Sequence, residues 1–186
     1  TYLGYPALVT LLARLRPAPK PYPATTPPVT LLVAAYNEEA EIAAKLENTL
    51  ALDYPRERLQ ILIVADGSAD RTPEIVAGFA DRGVELLYDP PRRGKMAAIN
   101  RAMAFATGEI IVFSDANNHY APNVVRELVA PFADPSVGAV SGAKVIAKGD
   151  GALGDSEGLY WRYESFVKQQ ETRLGCCMGV AGEVLA

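Results

Sequence analysis

Short apolar runs alternate along the chain with longer segments whose apolar residues recur every three or four positions. The first run, VTLLVAA at residues 29–35, is continuous and rich in β-branched residues, as expected of a strand that is covered on both faces. Similar runs occur at residues 59–65, 83–88 and 108–115. We therefore predict four strands that are buried within one sheet.

The segments between these runs have helical periodicity. After the first strand, Ile42, Leu46 and Leu50 recur at four-residue spacing and predict one buried helix face. Asn37 is the predicted N-cap of this helix, with acidic residues in its first turn. Further helices are predicted at residues 68–82, at 94–108 with Gly108 closing the helix, and from Pro122 onward; β structure is predicted to resume at 137–147. Four β-α units in sequence indicate an α/β fold with a doubly wound, mostly parallel sheet and helices on both faces.

The chain begins with an apolar stretch that lies outside this alternating pattern. Its first charged residue is Arg14, and a run of this length is shorter than the about 20 residues that cross a bilayer. Arg14, Arg16 and Lys20 follow the run closely, where the positive-inside rule places the cytoplasmic side. We expect residues 1–16 to be the end of a transmembrane or membrane-associated helix, and an amphipathic helix packed on the domain is the alternative.

A proline-rich segment separates this stretch from the first strand. Residues 17–28, PAPKPYPATTPP, disfavour a helix and favour extended backbone. We therefore predict a linker at 17–28 and a folded domain at 29–186, and we expect this domain to be truncated at its C-terminus.

Composition and charge exclude several classes of function. The 186 residues, 49% hydrophobic and 22% charged, are typical of a soluble globular domain. With a formal net charge of -4 and no basic stripe, the chain is not expected to bind nucleic acid. The single histidine, His119, and the adjacent pair Cys176 and Cys177 do not suit a His/Cys metal cage or a disulfide between neighbours. A reducing compartment fits this cysteine usage.

Polar residues and glycines lie at the carboxyl end of every predicted strand. They are Tyr36, Asn37 and Glu38 after the first strand, Asp66, Gly67 and Ser68 after the second, Arg92, Arg93, Gly94 and Lys95 after the third, and Asp115 and Asn117 after the fourth. Carboxyl ends of parallel strands lie on one edge of a sheet, where open α/β folds bind ligands. An aromatic ring, carboxylate and amide oxygens and a basic loop suit a nucleoside diphosphate with Mg²⁺ or Mn²⁺. Ordinary turns and a solvated basic loop are the alternative interpretation.

Several of these segments resemble the family 2 glycosyltransferases, which have the GT-A fold. VTLLVAAYNEE is similar to the first strand and nucleotide-binding turn of that family, and LIVADGSADRT to its second-strand motif. GKMAAINRAMAFATGEIIVFSDANNHYAPNVV resembles the stretch that ends in the Asp-x-Asp metal site. The resemblance covers about residues 29–186, in family order and spacing. Two positions depart from the pattern: Ala65 replaces the first acid of the second motif, and Asn117 stands where the family more often has Asp.

The resemblance implies roles for individual residues. The implied nucleotide-sugar-binding residues are Tyr36, Glu38, Asp66, Lys95 and Asp115, and the implied metal ligands are Asp115 and Asn117, with Mg²⁺ or Mn²⁺ as the cofactor. Tyr36 would pack against the base and Asp66 would hydrogen-bond the polar edge of the base. Lys95 would favour the negative charge of the sugar nucleotide. An amide oxygen ligates a hard cation less strongly than a carboxylate, so we expect either a reduced metal affinity or a larger share of the binding by Asp115.

The resemblance also implies an activity. It indicates an inverting transfer of a sugar from a nucleotide-diphosphate donor, with UDP-sugar expected, to a saccharide or lipid-linked acceptor. The enzyme would act in polysaccharide biosynthesis at the cell membrane, with its catalytic domain facing the cytoplasm. Such a reaction needs a general base for the acceptor hydroxyl. In this family the base comes from a later acidic motif, which we expect beyond Ala186.

Two other functions remain open from the sequence. Asn117 and the missing base favour a non-catalytic module that binds a sugar nucleotide or a membrane partner without turnover. A nucleotidyltransferase shares the sheet but normally has a glycine- and arginine-rich phosphate loop after its first strand. This chain has AAYNEE in that place.

Overall fold

The computed structural model describes residues 4–17, 21–142, 151–175 and 184–186. The chain divides into two compact units, one formed by Tyr22–Gly142 with Gly182–Ala186 and the other by Thr1–Pro21 with Ala143–Ala181. The adjacent pair Cys176 and Cys177 lies outside the described residues.

The larger unit is built around one sheet. Its strands are β1 (Val29–Ala35), β2 (Leu59–Asp66), β3 (Val84–Asp89), β4 (Ile110–Asp115) and β5 (Val184–Leu185). The strand order is β3-β2-β1-β4-β5. The first four strands pair in parallel, and β5 is antiparallel to β4. The four predicted strands and their parallel arrangement are therefore confirmed, whereas β5 is too short to produce a recognisable pattern.

Six α-helices occur within the described residues. They are α1 (Gly4–Arg14), α2 (Ile42–Leu50), α3 (Thr72–Ala77), α4 (Lys95–Met103), α5 (Val124–Val129) and α6 (Gly151–Leu174). Short 3-10 turns lie at Arg56–Arg58, Ala80–Arg82 and Ala130–Ala133. Helices follow each of the four parallel strands, as predicted, but they are shorter than the periodic segments, because α2 and α3 begin later than predicted and α4 ends earlier.

Two predicted helix boundaries are wrong. Asn37 does not cap α2, which begins at Ile42 after Glu41. The backbone of Asn37 has a positive φ of 55°, a conformation that Asn tolerates better than most residues. Gly108 does not close α4, which ends at Met103. A Cβ atom on Gly108 would lie 2.3 Å from the backbone nitrogen of Thr30, so glycine is required where the chain passes the start of β1.

The β structure predicted at 137–147 is limited, in its described part, to one bridge and does not form a strand. Residues 137–142 contain only an isolated antiparallel bridge between Ser141 and Leu185. Val140 and Ala186 exchange two backbone hydrogen bonds of 2.9 Å. Residues 143–147 lie outside the described part of the chain.

The two faces of the sheet bury different side chains. Leu31 of β1 packs in one cluster with Ile42 of α2, Val76 of α3 and Val125 of α5. Its neighbour Leu32 belongs to a second cluster, which contains Ala98 and Ala102 of α4. Successive strand residues point to opposite faces, so helices cover both sides of the sheet, as predicted. Each fully buried Leu or Ile stabilises the fold by about 1.5–3 kcal/mol, which makes the sheet a rigid support for the loops at its edge.

The smaller unit contains α1 and α6. The Tyr5 hydroxyl donates a 2.5 Å hydrogen bond to Glu171 Oε1, and α1 buries Val9 and Ala13. Four leucines in and after α1 are exposed: Leu8, Leu11, Leu12 and Leu15. Within the described ranges, none of the helices combines the length and the apolar character that crossing a membrane requires.

Candidate functional site

A cleft of about 280 Å³ opens where the parallel strands end. Ala35 of β1 is paired with Ala65 of β2, and Ala34 is paired with Asp115 of β4, so the three strands end at nearly the same level. The cleft is lined by Tyr36, Glu38, Asp66, Lys95, Asp115 and Asn117, together with Arg92, Gly94 and small residues of the strands. The structure thus brings the six residues that the family resemblance implied into one cleft, whereas Asn37, Gly67, Ser68 and Arg93 of the same strand ends are not part of its lining.

Asp66 fastens the basic loop, residues 92–95, to the end of β2. Its Oδ2 atom accepts the backbone N–H of Arg93 at 2.9 Å and that of Gly94 at 2.7 Å. Its Oδ1 atom lies 3.5 Å from the guanidinium of Arg101, which also pairs with Asp89. Asp66 is only 4% exposed. Its carboxylate therefore holds the basic loop in place, and the residue also lines the cleft.

The basic loop also contacts the first and second strand ends. The guanidinium of Arg92 lies 3.9 Å from the centroid of the Tyr36 ring, which is 39% exposed. Gly67 has a φ of 67°, and a Cβ atom at this position would lie 2.6 Å from the backbone nitrogen of Arg92. Glycine is thus the residue that allows the two loops to approach so closely.

Side chains join the loop after β1 to the loop after β2. The Asn37 N–H donates to Ser68 Oγ at 3.2 Å, and Asn37 Oδ1 accepts the N–H of Ala69 at 2.9 Å. The Glu38 N–H donates to Thr72 Oγ1 at 2.8 Å. These bonds hold Asn37 in its left-handed conformation and present Tyr36 and Glu38 to the cleft.

Opposite charges meet on the other side of the cleft. Lys95, the first residue of α4, forms an ion pair with Asp115, whose side chain is 30% exposed. Desolvation raises the pKa of Glu38, and the negative charges of Glu41, Asp115 and Asp70 raise it further. Glu38 and Asp115 therefore repel each other across the cleft, and a cation bound near both would reduce this repulsion.

The donor atoms fit a divalent cation that is shared with a phosphate ligand. Asp115 supplies a carboxylate and Asn117, which is exposed, supplies an amide oxygen. Mg²⁺ is commonly held by one or two carboxylates together with substrate phosphates, and this set matches that chemistry. No group of three or more His, Cys, Asp or Glu side chains in the described part of the chain could form a complete protein cage for a metal.

Lys45 is a residue of this region that the sequence prediction missed. It lies on α2, is 0% exposed, and donates a 2.7 Å hydrogen bond to the carbonyl oxygen of Asn118. Burial lowers its pKa to about 7, and the attraction of Asp115 offsets part of that shift. The available signal was its position three residues after Ile42, on the predicted buried face of the helix.

Comparison with known sequences identifies related glycosyltransferases. The model of Glycosyl transferase family 2 matches residues 30–182. The beta-monoglucosyldiacylglycerol synthase of Trichormus variabilis is 36% identical over 151 residues, which cover 79% of this chain and 32% of that protein. The poly-beta-1,6-N-acetyl-D-glucosamine synthase of Staphylococcus aureus is 29% identical over 157 residues, covering 83% and 38% of the two chains. The chain thus spans about a third of the length of these curated relatives.

Solved structures show the same architecture. The mannosyltransferase PcManGT from Pyrobaculum calidifontis, in complex with GDP-Man and Mn²⁺, superposes with a TM-score of 0.81 at 31% identity and covers 99% of this chain and 52% of that chain. S. aureus TarS 1-349 in complex with UDP-GlcNAc has a TM-score of 0.60 at 21% identity, covering 67% and 36% of the two chains, and shares the fold. The chain therefore belongs to the family 2 glycosyltransferases and has their GT-A fold.

Proposed function

We propose that this chain binds the nucleotide-sugar donor of a glycosyltransferase that transfers the sugar, with inversion, to a saccharide or lipid-linked acceptor. The observation that supports this best is the shared cleft, because Tyr36, Asp66 and Asp115 lie at the carboxyl ends of three different strands and line one cavity. The similar mannosyltransferase PcManGT was solved with GDP-Man and Mn²⁺, which favours a nucleoside diphosphate sugar here.

The base would stack on Tyr36. Its ring is partly exposed in the cleft, and an aromatic face accepts any base. Asp66 would contact the polar edge of the base and keep the basic loop in place. Glu38, on the same loop as Tyr36, would meet the sugar nucleotide from the first strand.

The diphosphate would lie between the basic loop and the end of β4. Lys95 and Arg92 supply positive charge on one side, and Asp115 and Asn117 would hold Mg²⁺ or Mn²⁺ on the other. A bound divalent ion would neutralise charge on the leaving diphosphate. Lys95, which pairs with Asp115, is well placed to move to the phosphates when Asp115 contacts the cation.

Calorimetric titration with UDP and with GDP, each with Mn²⁺, tests donor binding. We expect one of them to bind and Asp115→Ala to abolish that binding. Asp81→Ala, which removes an exposed carboxylate outside the cleft, serves as the matched control and should bind like the unmodified chain. Unchanged affinity in Asp115→Ala would contradict the assigned role of Asp115. Sugar transfer by the complete protein then distinguishes an enzyme from a non-catalytic binding module.

The acceptor reaction is proposed to occur at the cytoplasmic face of the cell membrane. The exposed leucines of α1 and the following Arg14 and Arg16 are typical of a helix that lies at a lipid surface. A similar protein is named as the synthase of a glucosyl diacylglycerol. A reporter fused after Lys20 should lie in the cytoplasm, and a location outside the cytoplasm would contradict this orientation.

A further inference from the structure

Helix α2 holds the segment that follows the proposed metal ligands through two polar side chains. Asn48 Nδ2 donates to the carbonyl oxygen of Tyr120 at 2.9 Å, and Asn48 Oδ1 accepts the N–H of Tyr120 at 2.8 Å. Lys45, one turn earlier, donates to the carbonyl oxygen of Asn118 at 2.7 Å. The three bonds fix backbone atoms only a few residues after Asp115 and Asn117.

The ammonium group of Lys45 is costly to bury. The side chain is 0% exposed, and burial disfavours the charged form of lysine. A methionine would fill a similar volume without this cost. The ammonium contacts the Asn118 carbonyl and lies 3.7 Å from the centre of the Tyr120 ring, and its charge attracts Asp115. The Lys45 ammonium group thus interacts with three residues of the 115–120 segment.

The side chains of this segment that face the cleft need such support. Asn117 is exposed and Asp115 is partly exposed, so packing does not immobilise either of them. The backbone of residues 118–120 is held by α2, which packs in the main core through Ile42 and Leu46. Lys45 and Asn48 therefore connect the cleft residues to the core and help to fix the position of these residues.

We propose that Lys45 and Asn48 are positioning residues that hold the 115–120 segment in the conformation that binds a nucleoside diphosphate with a divalent cation. This inference rests on the proposed function. Lys45 has a second effect, because a diphosphate adds negative charge to a cleft that already contains Glu38 and Asp115. In its protonated form, Lys45 attracts Asp115 and lowers this repulsion.

The test compares Lys45→Met and Asn48→Ala with the unmodified chain. Binding of UDP and GDP with Mn²⁺ is measured by calorimetry, and the free energy of unfolding by urea denaturation. We expect Lys45→Met to weaken nucleotide binding by about tenfold or more, the effect of one lost charged hydrogen bond, without a matching loss of stability. Asn48→Ala should weaken binding in the same direction.

Thr49→Val is the matched control on the same helix. Thr49 is 1% exposed, and its hydroxyl has no hydrogen-bond partner among the described residues. This variant also replaces a buried polar group of α2 by an apolar one, but it lies outside the contacts to residues 118–120. We expect its nucleotide affinity to be unchanged.

The outcomes separate the inference from the proposed function. If the unmodified chain binds neither nucleotide with Mn²⁺, the proposed function and the inference both fail. If it binds and Asp115→Ala does not, while Lys45→Met and Asn48→Ala bind normally, the inference alone fails. An equal loss of nucleotide affinity in Thr49→Val would show that the effect comes from the general packing of α2. This outcome would also overturn the inference. If Lys45→Met does not fold, the affinity of Asn48→Ala decides.

Discussion

The guanidinium group of Arg92 stacks on the ring of Tyr36, with its central carbon 3.9 Å from the ring centroid. The two residues follow different strands, β3 and β1, and both line the cleft. A cation over an exposed aromatic face contributes about 0.5–1 kcal/mol. The position of the aromatic ring and that of the basic loop therefore depend on each other.

Replacing Tyr36 tests whether its ring binds the base. Tyr36→Leu should weaken binding of the nucleotide by roughly 5- to 150-fold, because stacking on an aromatic side chain is worth about 1–3 kcal/mol per base. Tyr36→Phe keeps the ring and should retain most of the affinity. Calorimetry with UDP and GDP measures both variants. An equal loss in Leu and Phe variants would mean that the hydroxyl, and not the ring, is recognised.

Asn117→Asp should strengthen metal-dependent binding. A carboxylate binds a hard cation more strongly than an amide oxygen, so we expect the apparent affinity for Mn²⁺ in the presence of nucleotide to rise several-fold. Asn100→Asp adds the same charge at an exposed position of α4 outside the cleft lining and controls for net charge. If both variants respond alike, Asn117 is not a metal ligand.

Lys45 should make the stability of the chain depend on pH. Its pKa is lowered from 10.5 to about 7 on folding, so between these values the unfolded chain binds more protons at this residue. The free energy of unfolding should therefore rise with pH across this window, by up to about 1.4 kcal/mol per pH unit, and this contribution is lost as pH falls through about 7.

Urea denaturation between about pH 6 and pH 9 measures this dependence. Lys45→Met should lack the rise that is due to Lys45, whereas Thr49→Val should keep it. The difference between the two variants isolates Lys45 from other groups that titrate in the same range. Parallel pH profiles for the two variants would show that Lys45 does not titrate in this window.

Gly67→Ala should displace the basic loop. The substitution forces a Cβ atom to within 2.6 Å of the Arg92 backbone nitrogen at a φ of 67°, and we expect a loss of about 1–3 kcal/mol in the free energy of unfolding, with weaker nucleotide binding. Thermal and urea denaturation with calorimetry measure the two effects.

Two other glycines separate backbone strain from steric conflict. Gly175 has a φ of 83° and open space at its Cβ position, so Gly175→Ala should show strain alone and a smaller loss of stability. Gly138 has neither a positive φ nor a neighbour within 4 Å, and Gly138→Ala should be nearly neutral. Equal effects at the three positions would refute the close approach of the two loops as the cause.

The sequence by itself determined the strands and the residues that line the cleft. Apolar runs report burial directly, so β1 was predicted at residues 29–35 and is observed at Val29–Ala35. Parallel strands place their carboxyl ends together, and for this reason Tyr36, Asp66 and Asp115 could be assigned to one edge without coordinates. Both inferences depend on local pattern and on a general rule of sheet geometry.

Only the tertiary structure decided how those residues are held. The local sequence favours Asn37 as a helix cap and Gly108 as a helix end, but Asn37 instead bonds Ser68 and Ala69, and Gly108 packs against the backbone of Thr30. The bonds from Lys45 and Asn48 to residues 118–120 likewise join positions more than seventy residues apart. Periodicity describes which face of an element is buried, but it carries no information on which distant backbone atom meets that face. The support of the cleft is therefore a property of the folded chain.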